Sequence, residues 1–383
     1  MPSLDLTSIP VVDDHCHGLY AAQAAPDAPA WRRHFTESRA PRMREVDAGQ
    51  TLFYWRLIRE LAAFFGCAPE EEAVLAARGA LQQDALLSML LRAANIETLL
   101  IDQGYPPRAL LLPDAEITRL AGCRTMPILR LEPLMQDLIA QYGTLAAVEE
   151  ALRAALADVR GTGYVALKSI AAYRTGLAIR VWERGEAEAA FAAARREVRE
   201  KGARRLAHKP LLDTLLHIAF TEAARQEAPV QFHTGYGDTD ADLRLANPLH
   251  LRAVLETPGY RGMPVVLLHA CYPYTREGGY LAAVYEHVYL DLAYGIPFLS
   301  YDEMAAFTRA ALGVAPVTKL LYSSDAVGVP ELHWLSAVSA RRVLGEALGE
   351  CVARNELSAA EAQAVGVAVL KRNAVRLYQL DQR

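Results

Sequence analysis

The chain has 383 residues, 52% of them hydrophobic and 22% charged, with a formal net charge of −5 and a pI near 6.1. That composition supports a sizeable buried core and argues against the basic footprint of a nucleic-acid binder. No apolar run is long enough to span a bilayer, which argues against a membrane partner.

The first element is Pro10-Val11-Val12-Asp13-Asp14-His15-Cys16-His17-Gly18, a short apolar strand with a polar tip. Side chains at i and i+2 of a strand share a face, so His15 and His17 can meet at one point while Cys16 turns away. Neutral imidazole is the commonest protein metal ligand, and His-x-His at a strand end reads as half of a metal site. The alternative is two ordinary polar residues closing a strand. Cys16 has no evident base beside it and reads as a buried filler rather than a nucleophile.

An insertion follows over roughly residues 19–95. Irregular at first, it turns helical at 51–65, where Tyr54, Leu57, Ile58, Leu61 and Phe65 recur at helical spacing, and continues so over 73–94. These helices either cover one end of the fold or form a contact in a homo-oligomer. From residue 97 the rhythm is regular. Apolar runs at 98–102, 124–131, 163–170, 229–232, 264–268, 288–292 and 320–323 alternate mostly with helical segments such as 144–159, 188–201 and 211–226. The basic pairs Arg195-Arg196 and Arg204-Arg205 read as solvated helix faces. A last helix over about 359–380 is expected to pack beneath the sheet. Short continuous apolar runs alternating with helices argue for a parallel sheet covered on both faces. Eight such units imply a single (β/α)8 TIM barrel domain over 1–383.

In such a barrel the loops after the strands converge, so the strand ends carry the chemistry. Strand one ends in His15 and His17, strand four holds Lys168, strand five leads to His233, strand six to His269 and strand eight to Asp325. Four histidines and a carboxylate at these ends point to a divalent metal. The remaining histidines, His34, His208, His217, His250, His287 and His333, read as structural or exposed. Arg174, Tyr236, Asp238, Tyr272, Tyr274 and Arg276 follow the strands and are candidates for substrate binding, with packing roles expected for some of them. The planar fork of Arg174 suits a carboxylate, or alternatively an ion pair with a nearby acid. Asp14, beside the ligands, is a candidate to orient a histidine.

This pattern, His-x-His on strand one, Lys on four, His on five and six and Asp on eight, resembles the amidohydrolase superfamily. Three stretches resemble one branch of it, the amidohydrolase domain related to nodulin-like proteins and found fused to glutamine-synthetase-like domains. They are Leu167-Lys168-Ser169-Ile170-Ala171-Ala172-Tyr173-Arg174-Thr175-Gly176-Leu177, Gln231-Phe232-His233-Thr234-Gly235-Tyr236-Gly237-Asp238 and Tyr322-Ser323-Ser324-Asp325-Ala326. The sequence ends soon after the barrel, so no fused ligase-like domain is expected. The resemblance implies that His15, His17 and Asp325 hold one ion and His233 and His269 a second. Zinc is the expected metal, with manganese or iron as other occupants.

Lys168 as an ammonium has donors only and is a poor ligand. The resemblance implies that it is carboxylated by CO₂ and bridges two ions; the alternative is a cationic lysine binding a substrate carboxylate beside one ion. The apolar run before it favours the neutral amine that reacts with CO₂. Asp325 would take a proton from water and pass it to the leaving group. The expectation is a metal-dependent amidohydrolase acting on an amide or related bond of a small polar substrate, in this branch a γ-glutamyl or other carboxylate-bearing amide. A metal-dependent decarboxylase and a non-catalytic metal-binding or sensor domain are the alternatives. Lys168 argues against the first, and the full ligand set with Asp325 against the second. Five scattered cysteines with no Cys-x-x-Cys, and an N-terminus without a basic-then-apolar pattern, lead to an expected cytoplasmic location.

Overall fold

The structure, a computed structural model, describes residues 3–22, 27–202 and 205–382. Arg204 of the second basic pair lies outside the described residues. Eight strands form one sheet in the order β1 to β8. They are β1 (Val11–Cys16), β2 (Ile96–Asp102), β3 (Arg124–Arg130), β4 (Ala166–Ser169), β5 (Val230–Phe232), β6 (Val265–Leu267), β7 (Val288–Ala293) and β8 (Leu320–Ser323). Parallel pairing joins β1 to β2 and runs from β3 through β7. At the seam, the Asp325 N–H donates to the His15 carbonyl at 3.0 Å and the His17 N–H to the Ala326 carbonyl at 2.9 Å. With helices between the strands, this is the (β/α)8 barrel that the sequence implies. Every residue of β1, β4, β5, β6 and β8 is buried, which explains the lack of alternation in β6 and β8; in β1 the burial takes in Asp13, Asp14 and His15.

By its internal contacts the chain divides into two compact units. One comprises residues 1–126, 237–239 and 291–376 and contains β1, β2 and β8; the other comprises 127–236, 240–290 and 377–383 and contains β4, β5 and β6. The first also holds the insertion, whose helices include Leu52–Phe65, Glu71–Gly79 and Gln83–Ala93. Leu52–Phe65 starts where the Thr51 hydroxyl accepts the Tyr54 N–H at 3.1 Å, and it stops at Gly66, left-handed with φ of +70°. Its buried face is Phe53, Tyr54, Leu57, Ile58, Leu61 and Ala62. The helical stretch expected over 73–94 is two helices, broken after Gly79.

β4 starts three residues later than its apolar run. The turn before it is fixed by Asp158, which accepts the Gly161 N–H at 2.8 Å, and by Gly163, left-handed with φ of +95°. The C-terminal segment is helical over Ala359–Val367, π-helical over Ala368–Arg372 and α-helical again over Asn373–Leu377. The Asn373 amide donates to the Val317 and Leu320 carbonyls at 2.8 and 2.9 Å, so this segment is tied to the start of β8. No helix among the described residues is long and apolar enough to cross a membrane.

Candidate functional site

In the first unit, β1 delivers His15, fully buried, and His17, 7% exposed, with ring centroids 5.3 Å apart. The Nε2 of each lies 3.6 Å from Asp325 Oδ1. That is too long for a hydrogen bond. It is close to the ~3.3–3.4 Å between two ligands of a tetrahedral ion with bonds of about 2.0–2.1 Å. His17 Nδ1 lies 2.9 Å from the Tyr105 carbonyl, which makes Nδ1 the donor and leaves Nε2 as the nitrogen suited to a metal. This chemistry fits a divalent cation. Asp102, at the end of β2, groups with His15 and His17 as a further donor. In the sequence its one signal is that it is a carboxylate closing an apolar run, the same signal that singles out Asp325.

Asp325 has φ of +51°, a left-handed conformation uncommon outside glycine. The residue before it is gripped by Asp13, which accepts the Ser324 N–H at 2.8 Å and the Ser324 hydroxyl at 2.5 Å. Asp13, Cys16 and His333 form a second buried group of potential donors. Both Asp13 oxygens are already engaged by Ser324, and burial pushes the Cys16 thiol well up while it donates to the Leu100 carbonyl. Cys16 is thus the filler that the sequence suggests. In the insertion, burial, reinforced by the carboxylates of Asp325 and Asp238, pushes Glu37 up to about 7. Asp238 is ion-paired with Arg39.

In the second unit, Lys168 is 1% exposed on β4, in register with Arg130 on β3 and Gln231 on β5. His233 and His269 follow β5 and β6 with ring centroids 4.4 Å apart. His233 Nε2 lies 2.6 Å from the Tyr236 carbonyl, so Nδ1 is the nitrogen suited to a metal. His269, Ala270 and Cys271 have φ of +66°, +51° and +51°, three successive strained residues. The loop is secured by the Leu268 carbonyl, which accepts the Cys271 N–H at 3.1 Å and the Thr234 hydroxyl at 2.6 Å. Gly235 is obligatory beside it: with φ of +70°, a Cβ there would lie 2.2 Å from the Tyr272 carbonyl oxygen.

The substrate-binding candidates separate. Tyr236 is buried, packs edge-on to His269 at 5.3 Å and donates its N–H to the Tyr272 carbonyl. The Tyr274 hydroxyl donates to the Leu243 carbonyl at 3.1 Å, and Arg276 is exposed on the helix Thr275–Val284. Arg174 is half-buried, and its Nε has no hydrogen-bond partner among the described residues. Burial, joined by the positive charge of Arg205, pushes its pKa down. Two groups outside the sequence candidates stand beside these residues. Tyr173 packs on His233 with centroids 4.3 Å apart. Glu132, fully buried after β3, accepts the Ser169 hydroxyl at 2.8 Å and the Ile170 N–H at 2.9 Å, fixing the chain just beyond Lys168.

A family model described as amidohydrolase matches residues 129–380. Protein fluG of Emericella nidulans is 28% identical over 403 residues, covering 98% of this chain and 46% of fluG. The chain therefore spans about half the length of that curated relative. Among solved structures, a Lactobacillus casei ATCC 334 protein provisionally described as a metal-dependent hydrolase superposes with a TM-score of 0.87 at 29% identity, covering 99% of each chain. Uronate isomerase from Thermotoga maritima shares the fold, with a TM-score of 0.66 at 16% identity over 97% of this chain and 95% of that one.

Proposed function

The chain belongs to the amidohydrolase family, and from that premise we propose that it is a metal-dependent hydrolase cleaving an amide, or a related C–N or C–O bond, in a small carboxylate-bearing substrate. The observation that carries this reading is Asp325 Oδ1 at 3.6 Å from the Nε2 of both His15 and His17. In this reading His15, His17 and Asp325 hold one divalent ion. His233 and His269 are ligands of a second, and Lys168, carboxylated by CO₂, adds an anionic ligand. Zinc suits such imidazole and carboxylate donors, as do manganese and iron.

When bound, the ion polarises the scissile carbonyl and lowers the pKa of water towards about 7. Asp325 would take a proton from water and pass it to the leaving group. The Tyr105 carbonyl keeps His17 in the ligating tautomer. Arg174 binds the substrate carboxylate. The five free cysteines suit a reducing compartment, the cytoplasm in this reading.

The test is turnover across a panel of γ-glutamyl and other acidic amides, esters and lactones. Activity should vanish on chelation and return with zinc, manganese or iron. Asp325→Asn should lose about 10²–10⁴-fold while staying folded. Metal bound with no turnover anywhere in the panel would favour a binding or sensing role instead.

A further inference from the structure

We infer that Asp13 is the positioning residue for Asp325 and acts through Ser324. The inference rests on the reading of Asp325 as a ligand and proton carrier. A non-glycine residue with φ of +51° stays in that conformation only when its surroundings over-determine it. Part of the restraint is main-chain: the Asp325 N–H to the His15 carbonyl, and the His17 N–H to the Ala326 carbonyl. The side-chain part comes from Asp13.

Its Oδ1 takes the Ser324 N–H at 2.8 Å and its Oδ2 the Ser324 hydroxyl at 2.5 Å. The same hydroxyl oxygen accepts the Ala326 N–H at 3.1 Å. One wholly buried carboxylate thus fixes the residues on both sides of Asp325. His333 Nδ1, at 3.7 Å from Asp13 Oδ2, is too far to compete for it. Gly295 also lies so close that a Cβ there would stand 2.0 Å from the Ser324 carbonyl oxygen. Ser324 is therefore confined both by Asp13 and by Gly295. Because Asp13 is on β1, two residues before His15, the histidine pair and the carboxylate they face are referenced to one strand.

The experiment uses the full chain loaded with Co(II), whose visible d–d spectrum reports the ligand geometry, with affinity measured by chelator competition. Asp13→Ala should weaken Co(II) binding by about 10–100-fold, the usual cost of losing a group that orients a ligand. Its spectrum should shift in the same sense as that of Asp325→Asn. Asp13→Asn should recover part of the affinity, because its amide oxygen still accepts the Ser324 N–H. Ser324→Ala, which keeps that main-chain bond, should show a smaller loss. A merely structural role would lower the Tm of Asp13→Ala yet leave spectrum and affinity unchanged, and that result overturns the inference. If Asp13→Ala does not fold, wild-type spectrum and affinity in Ser324→Ala overturn it equally. Absence of Co(II) binding by the wild type, or an unaltered spectrum in Asp325→Asn, refutes the metal reading itself and the inference with it.

Discussion

His34, in the insertion, is held by burial and by the guanidinium groups of Arg78 and Arg33 at a pKa of about 4, below its ordinary 6.5. In the unfolded chain the imidazole takes a proton near 6.5, and in the folded chain only near 4. Between those values the unfolded state binds the extra proton, so stability falls as pH drops through that window. The full shift corresponds to on the order of 3 kcal/mol. Its neighbours are the rings of Tyr20, Trp31 and Phe35, so His34→Phe should fold. Urea unfolding between pH 7 and 4 should show a shallower loss in the variant; identical slopes would contradict this origin.

Arg174 and Lys168 also carry residue-scale predictions. Arg174→Met should raise KM for acidic substrates far more than for neutral analogues of the same shape. The loss could reach roughly 2–5 kcal/mol if the pair is desolvated. Equal losses on both substrate types would mark a structural role. Lys168→Ala should lower metal stoichiometry from two towards one, with short carboxylic acids restoring part of the activity; an unchanged stoichiometry would exclude a ligand role. Histidines at strand ends are legible from sequence because an imidazole is conspicuous after an apolar run. Alternation puts Asp13 on the same face as His15 and His17, but its partner Ser324 lies 311 positions away, and no local pattern encodes that contact.

Among the elements, the insertion helices meet the rest of their unit through a buried ion pair. Arg78, on Glu71–Gly79, pairs with Glu331, in the first turn of Pro330–Ala353, at 2.6 Å, with the guanidinium 4.7 Å from the Trp31 ring centroid. Removing one partner strands a buried charge, so Arg78→Ala should cost about 3–5 kcal/mol. Arg78→Met/Glu331→Leu should recover most of it. Wild-type stability of Arg78→Ala in urea would show that the pair is dispensable. Most strands are readable because continuous burial leaves short apolar runs, although β3 buries only Ile128. The helix break after Gly79 was not, because Val74, Leu86, Leu87, Leu90 and Leu91 are buried on both sides of it and the apolar pattern carries through. Nor was the π-helical stretch at Ala368–Arg372, since its extra residue per turn hardly alters a short pattern.

At the scale of the whole molecule, each compact unit brings its own set of candidate ligands: His15, His17 and Asp325 in one, Lys168, His233 and His269 in the other. Because ligands that bind only the native state stabilise it by mass action, chelation should lower the Tm and readdition of metal should restore it. The most direct test of the account is elemental analysis of the purified wild type beside the His15→Ala/His17→Ala double variant, with far-UV circular dichroism on both. The account predicts divalent metal in the wild type, a marked loss in the variant and superimposable dichroism. Full metal occupancy in the folded double variant would contradict it.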